Sequence, residues 1–172
     1  MKIKLAPLTL FVLFAVLFII LFKGLKNSNI YIPTVNLKKE IPLFAVQLFD
    51  SETKIFSDKI FNDDKYYLLN IWSSWCLPCR DEHQFLMDLK NKTNLKIIGL
   101  NYKDNTKNAK IFLNELKNPY TYILEDKDGL VAIEWGAYGV PESFLIYDNK
   151  IIKKIVGPLN SNLVFEIKEI IK

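Results

Sequence analysis

Two cysteines, Cys76 and Cys79, stand in a C-x-x-C where a short apolar run ends and a helical pattern begins, and no other feature constrains the chain as tightly. Residues 67–72 are apolar and aromatic-rich, the composition of a buried strand. After the pair, Phe85, Leu86 and Leu89 recur at helical spacing, with Asp81 and Glu82 expected in the first turn, where the helix dipole favours acids. A C-x-x-C at a strand-to-helix junction reads as a redox pair. If the helix starts at or just after Cys76, unpaired backbone N–H groups stabilise its thiolate, making Cys76 the exposed attacking sulfur. Cys79, one turn on and more enclosed, then resolves the mixed disulfide. Pro78 suits the first helical turn, where its missing N–H costs nothing.

Other readings of the pair remain open. A zinc site needs about four ligands, and two cysteines with one histidine would have to recruit carboxylates or a second chain. A copper carrier would need His83, which lies on the same helix as Cys79 and reads as a helix-surface residue. A structural disulfide over so short a loop would add little stability. Two cysteines in 172 residues do not make a disulfide scaffold.

Residues 5–22, LAPLTLFVLFAVLFIILF, carry no charge and are long enough as a helix to cross most of a bilayer's hydrocarbon core. The run exceeds a signal-peptide core and no small-x-small site precedes Asn27, so an uncleaved anchor over residues 1–26 is expected. Lys2 and Lys4 face Lys23 and Lys26 across it, so charge alone does not orient the segment. These lysines also account for the formal net charge of +4. The rest is near neutral, with interspersed lysines and acids, and offers no basic stripe for nucleic acid.

Residues 27–40 read as a tether and residues 41–172 as one domain. Within the domain, segments 43–49 and 53–56 flank a turn at Asp50, Ser51 and Glu52, predicting a hairpin ahead of the main sheet. Strands at 67–72, 95–100 and 120–124 alternate with helices at 78–90 and 106–116, an order that predicts a parallel core. Strands at 143–147 and 151–156 form an antiparallel hairpin, and a helix over 159–171 closes the chain with Leu163, Val164, Ile167, Ile170 and Ile171 as its stripe. The class is α/β, a mixed sheet flanked by helices.

A second constellation, WGAYGVPESF, precedes the final hairpin. A strand-C-x-x-C-helix unit followed by Gly139-Val140-Pro141 at the mouth of a strand resembles the thioredoxin superfamily. The stretches LLNIWSSWCLPCRDEH and WGAYGVPESF, with the N-terminal apolar segment, are similar to the CcmG (DsbE) group, with TlpA and ResA relatives close behind. Leu77-Pro78 and Ser143 depart from the group's more usual proline-first and threonine choices. The resemblance implies a thioredoxin fold with Pro141 cis across from the cysteines, and a membrane-anchored reductase on the periplasmic side of the bacterial inner membrane. Its substrate would be the disulfide of apocytochrome c before haem attachment, and a membrane thiol carrier would supply electrons. The alternatives are a general TlpA- or ResA-like reductase and a membrane-tethered metal or haem module. No cofactor and no metal are implied for the reductase.

Trp75, Val140 and Tyr138 are expected on the substrate-facing surface, with Trp72 in the core. Thioredoxin carries a buried aspartate where this chain has Asn70, and an amide cannot take a proton from the resolving thiol. Partly buried carboxylates at Glu142 or Glu134 are the expected acceptors. The candidate catalytic set is therefore Cys76, Cys79, Pro141 and Glu142.

Overall fold

The computed structural model describes residues 5–26, 40–61 and 64–172. Helix α1 (Leu5–Lys26) belongs to a unit of its own, and its large apolar side chains from Leu10 to Phe22 are exposed. Among the described residues no helix is long and apolar enough to cross a membrane; the described side chains of α1 are Pro7 and those from Thr9 to Gly24. The expected anchor extends past that range, and the tether, apart from Glu40, lies outside the described residues.

The second unit is built on one seven-stranded sheet in the order β2-β1-β5-β4-β3-β6-β7. Strands β1 (Ala45–Leu48) and β2 (Lys54–Phe56) form the expected hairpin. Here the structure adds to the sequence reading: β1 pairs antiparallel with β5 (Tyr122–Asp126), so the hairpin extends the main sheet instead of standing before it. A short helix, α2 (Ser57–Ile60), follows. Strand β3 (Tyr66–Trp72) runs parallel to β4 (Lys96–Tyr102), and β4 parallel to β5. Strands β6 (Glu142–Tyr147) and β7 (Lys150–Val156) complete the sheet antiparallel. Asp148 and Asn149 take positive φ at the β6–β7 turn, the conformation a two-residue hairpin loop demands.

Helices α3 (Leu77–Lys92), α4 (Thr106–Leu116) and α6 (Ser161–Ile170) place Leu86, Phe112 and Ile167 in one core cluster with Leu68 and Trp72 of β3. Leu69 and Ile71 of the same strand join a second cluster with Ile60 of α2 and with Val131 and Ala132 of α5 (Leu130–Glu134). Covering on both faces explains why β3 is apolar at nearly every position. The helix at α4 has the bounds the sequence predicts. Strand β5 starts at Tyr122 instead of residue 120 because Tyr120 turns inward, its ring stacked on Trp72 at 5.5 Å.

Gly99 of β4 permits that stack. A Cβ there would lie 2.9 Å from both Trp72 Nε1 and the Tyr120 ring. Gly99→Ala should therefore displace both aromatics and cost about 1–3 kcal/mol, read as a lower denaturation midpoint at unchanged m-value.

Candidate active site

Strand β3 ends at Trp72, and the turn Ser73–Trp75 delivers Cys76 to the N-cap of α3. Leu77 and Pro78 open the helix, so no backbone donor is wasted on Pro78. The Cys79 backbone N–H donates to Cys76 Sγ at 3.1 Å, the contact an N-cap acceptor makes. The two sulfurs are joined in a disulfide. In this oxidised form Cys76 is 4% and Cys79 2% exposed, so the expectation of an exposed first sulfur is corrected. The helix also begins early enough that Asp81 and Glu82 fall beyond its first turn, which holds no acid.

The cysteine turn is locked from the loop after β4. Asp104 accepts Ser74 Oγ at 2.7 Å, the Ser74 backbone N–H at 2.5 Å and Asn101 Nδ2 at 2.9 Å, while Ser73 Oγ donates to the Tyr102 carbonyl. Trp75 Nε1 donates to the Lys103 carbonyl at 3.1 Å and leaves its ring 59% exposed.

The Val140–Pro141 peptide bond is cis. Strand β6 begins beside it, with Glu142 paired to Ile71 one residue before the end of β3. Continued by one residue, that antiparallel register sets Pro141 across from Trp72, at the mouth of the cysteine turn. Val140 packs against the cluster that contains Cys76 and Cys79. Tyr138 is exposed and Pro141 buried.

Glu142 is buried, but its carboxylate is committed elsewhere. Oε1 accepts the Tyr138 and Gly139 backbone N–H groups at 2.9 and 3.0 Å, and Oε2 lies 2.9 Å from Lys154 Nζ. It anchors its own loop. Glu134, at the end of α5, is exposed and lacks the burial on which its candidacy rested. His83 also departs from expectation: it is buried, and Nε2 donates to the Lys117 carbonyl at 2.8 Å. Burial lowers its pKa, with the hydrogen bond to Lys117 acting the other way.

The acid that the sequence reading overlooked is Glu82. It lies one helical turn past Cys79 on the same buried face of α3 and is 1% exposed. Asn70 Nδ2 donates to its Oε1 at 2.8 Å, and the Leu159 backbone N–H donates to its Oε2 at 2.8 Å. Asn70 also donates to Ser143 Oγ at 3.1 Å and accepts from Tyr120 Oη at 2.9 Å. Burial raises the Glu82 pKa from 4.5 to about 7 against the lowering effect of these two hydrogen bonds. Burial, with the neighbouring Glu82 charge, likewise pushes the Tyr120 hydroxyl well above its ordinary value. The clue in the sequence was phase: the stripe of Leu89 and Leu86, traced back one turn at a time, passes through Glu82 and His83 to Cys79.

A family model described as Redoxin matches residues 36–169. The chain belongs to the Redoxin family. It is 36% identical over 167 residues to the thiol:disulfide interchange protein DsbE of Yersinia pestis, covering 94% of this chain and 87% of that one. With DsbE of Vibrio cholerae it shares 40% over 165 residues, 93% of this chain and 88% of the other. Among solved structures, a DsbE thiol:disulfide interchange protein from Chlorobium tepidum superposes with a TM-score of 0.66 at 22% identity, over 79% of this chain and 95% of its own. That likeness shows the thioredoxin-like fold.

This redoxin is a thiol-disulfide oxidoreductase, and its site supplies what the chemistry requires. The Cys76 sulfur already accepts a helix N-terminal N–H, a contact that favours thiolate over thiol once the bond is reduced. Glu82 shares the buried helix face of Cys79 and has a pKa suited to proton exchange near neutrality, whereas Glu134 ends α5 and Glu142 begins β6. Because the folded state holds the Glu82 proton more tightly than the unfolded chain, its contribution to stability is full below about pH 4.5 and lost as pH rises through about 7. Across that window the oxidised protein should lose about 3 kcal/mol relative to Glu82→Gln. Denaturant titrations of both proteins from pH 4 to 8 measure the difference; parallel pH profiles would refute it.

Proposed function

We propose that this redoxin reduces the disulfide of apocytochrome c before haem attachment, on the periplasmic side of the bacterial inner membrane. The observation that carries the reading is the Cys76–Cys79 disulfide at the head of α3, beside the Val140–Pro141 edge where β6 begins. The chemistry follows from that pair. In the reduced protein the Cys76 thiolate attacks one sulfur of the substrate disulfide, and the other substrate sulfur leaves as a thiolate that takes up a proton. Cys79 then yields its proton to Glu82 and attacks Cys76 Sγ, releasing the second substrate thiol and forming the disulfide that the oxidised protein holds. Two electrons pass to the substrate, and a membrane thiol carrier returns them.

Trp75, Tyr138 and Val140 supply the substrate-facing surface, and the Val140–Pro141 backbone offers a short edge for an extended peptide. The narrowing to apocytochrome c rests on the similarity of LLNIWSSWCLPCRDEH and WGAYGVPESF to the CcmG (DsbE) group and on the DsbE names of relatives matched over 87% and 88% of their length. An N-terminal anchor fits the uncharged run at residues 5–22: as a helix, the 22 residues of α1 would span about 33 Å at about 1.5 Å each. Its exposed leucines and phenylalanines suit lipid better than water.

Cys79→Ser should accumulate mixed disulfides with protein partners, and Cys76→Ser should trap none. Peptide mapping of the captured proteins reads the substrate: haem-attachment Cys-x-x-Cys-His peptides support the proposal, and an unrelated set of periplasmic proteins would favour a general reductase. Equal trapping by both variants would reverse the assigned roles. The full chain should also stay with the membrane fraction after an alkaline carbonate wash, and a chain lacking residues 1–26 should be released.

A further inference from the structure

Lys154 is the one lysine of β7 whose side chain is almost wholly buried, 7% exposed against 24% for Lys153 and 46% for Lys150. Removing an ammonium from water is costly unless its donors are met, and here they are met by a single loop. Nζ donates to the Gly136 carbonyl at 2.8 Å, lies 2.9 Å from Glu142 Oε2, and sits 4.9 Å above the centre of the Tyr138 ring. The Glu142 contact is an ion pair set off the axis of a good hydrogen bond. The ring of Phe144, the residue paired with Lys154 across β6 and β7, lies beneath at 5.4 Å.

Gly136 and Glu142 are the two ends of the segment that joins α5 to β6, and Tyr138, Val140 and the cis Pro141 lie between them. Glu142 Oε1 adds its bonds to the Tyr138 and Gly139 backbone. We infer that Lys154 is a positioning residue that clamps both ends of this segment, holding the Tyr138 ring and the Val140–Pro141 edge in the shape that receives a polypeptide substrate. The inference rests on the reading of that segment as the substrate-docking edge. Lys154 touches neither sulfur, so its loss should weaken docking and leave the exchange step alone. Glu142 gains a role in the same assembly, as the partner that fixes the clamp at its far end.

The test uses the reduced full-length protein and, as substrate, a synthetic peptide carrying an oxidised Cys-x-x-Cys-His segment. Lys154→Met should raise KM about tenfold with kcat held within about twofold, the pattern of lost binding common to ground and transition states. Because the methionine leaves a buried carboxylate without its cation, the Lys154→Met/Glu142→Gln double variant provides a charge-free companion. It should show the same split with a native melting transition. Lys154→Arg keeps the charge and the donors and should recover most of the wild-type KM. A folded Lys154→Met or double variant with wild-type KM overturns the clamp, as does a parallel fall in kcat and in thermal stability that arginine does not rescue. Tyr138→Ala separates the two readings. A raised KM in Tyr138→Ala with wild-type KM in Lys154→Met removes the clamp and leaves the docking edge standing; wild-type KM in both removes both.

Discussion

A buried amide at the centre of the sheet must find its partners within the protein, and in this molecule the arrangement of four elements follows from that requirement. Asn70 has β4 on one side and β6 on the other, with no access to water. Its Nδ2 reaches Glu82 on α3 and Ser143 on β6, and its Oδ1 receives the Tyr120 hydroxyl from the segment before β5. Glu82 passes the connection on to the Leu159 backbone ahead of α6. Each link satisfies a group that would otherwise cost about 1–3 kcal/mol if left buried and unpaired. The network thereby ties the redox helix to the strands at a fixed height, one turn below the disulfide. An aspartate at position 70 would place a second acid beside Glu82, and like charges in so dry a site oppose each other's ionisation. The amide instead donates to Glu82 and leaves it the only acid in this network.

Much of this was open to reading from the chain alone. The alternation of β3, β4 and β5 with α3 and α4 is written in short apolar runs and in helical stripes, because burial on both faces of a strand and on one face of a helix selects different periods. The C-x-x-C and the Gly-Val-Pro segment announced themselves by residue type. Glu82 did not, because an acid near a helix N-terminus has an ordinary explanation in the helix dipole. Only the phase of the stripe separates Glu82 from Asp81, and a charged residue at a core phase is normally discounted as too costly to bury. His83 was misplaced for the same reason: its neighbour across the gap is the Lys117 carbonyl at the end of α4, a partner that sequence proximity does not reveal.

The carboxylate that the sequence did nominate, Glu142, illustrates the converse. Its place beside the cis proline suggested chemistry, yet both of its oxygens already have partners. With two backbone donors on one oxygen and a lysine on the other, Glu142 holds its own loop in shape. Lys154 reads in the sequence as one of several lysines on an edge strand, where exposed charges commonly guard against unwanted pairing. Only the three-dimensional turn of the segment from Gly136 to Glu142 brings both of its ends to that ammonium.

Two sets of residues emerge, separated by depth. Cys76, Cys79 and Glu82 are at most 4% exposed, whereas Trp75, Leu77 and Tyr138 expose apolar surface. Under the proposed function a partner has to bring its own sulfur down to Cys76, and an extended peptide along the Val140–Pro141 edge would meet that demand. Such a surface must keep its shape before the partner arrives, since each side chain that orders only on docking subtracts about 0.5–1.5 kcal/mol from the affinity. The bonds of Asp104 to the cysteine turn and of Lys154 to the segment between α5 and β6 meet that demand. Rigidity at the rim and proton exchange beneath it can then be altered independently by mutation, because no side chain belongs to both.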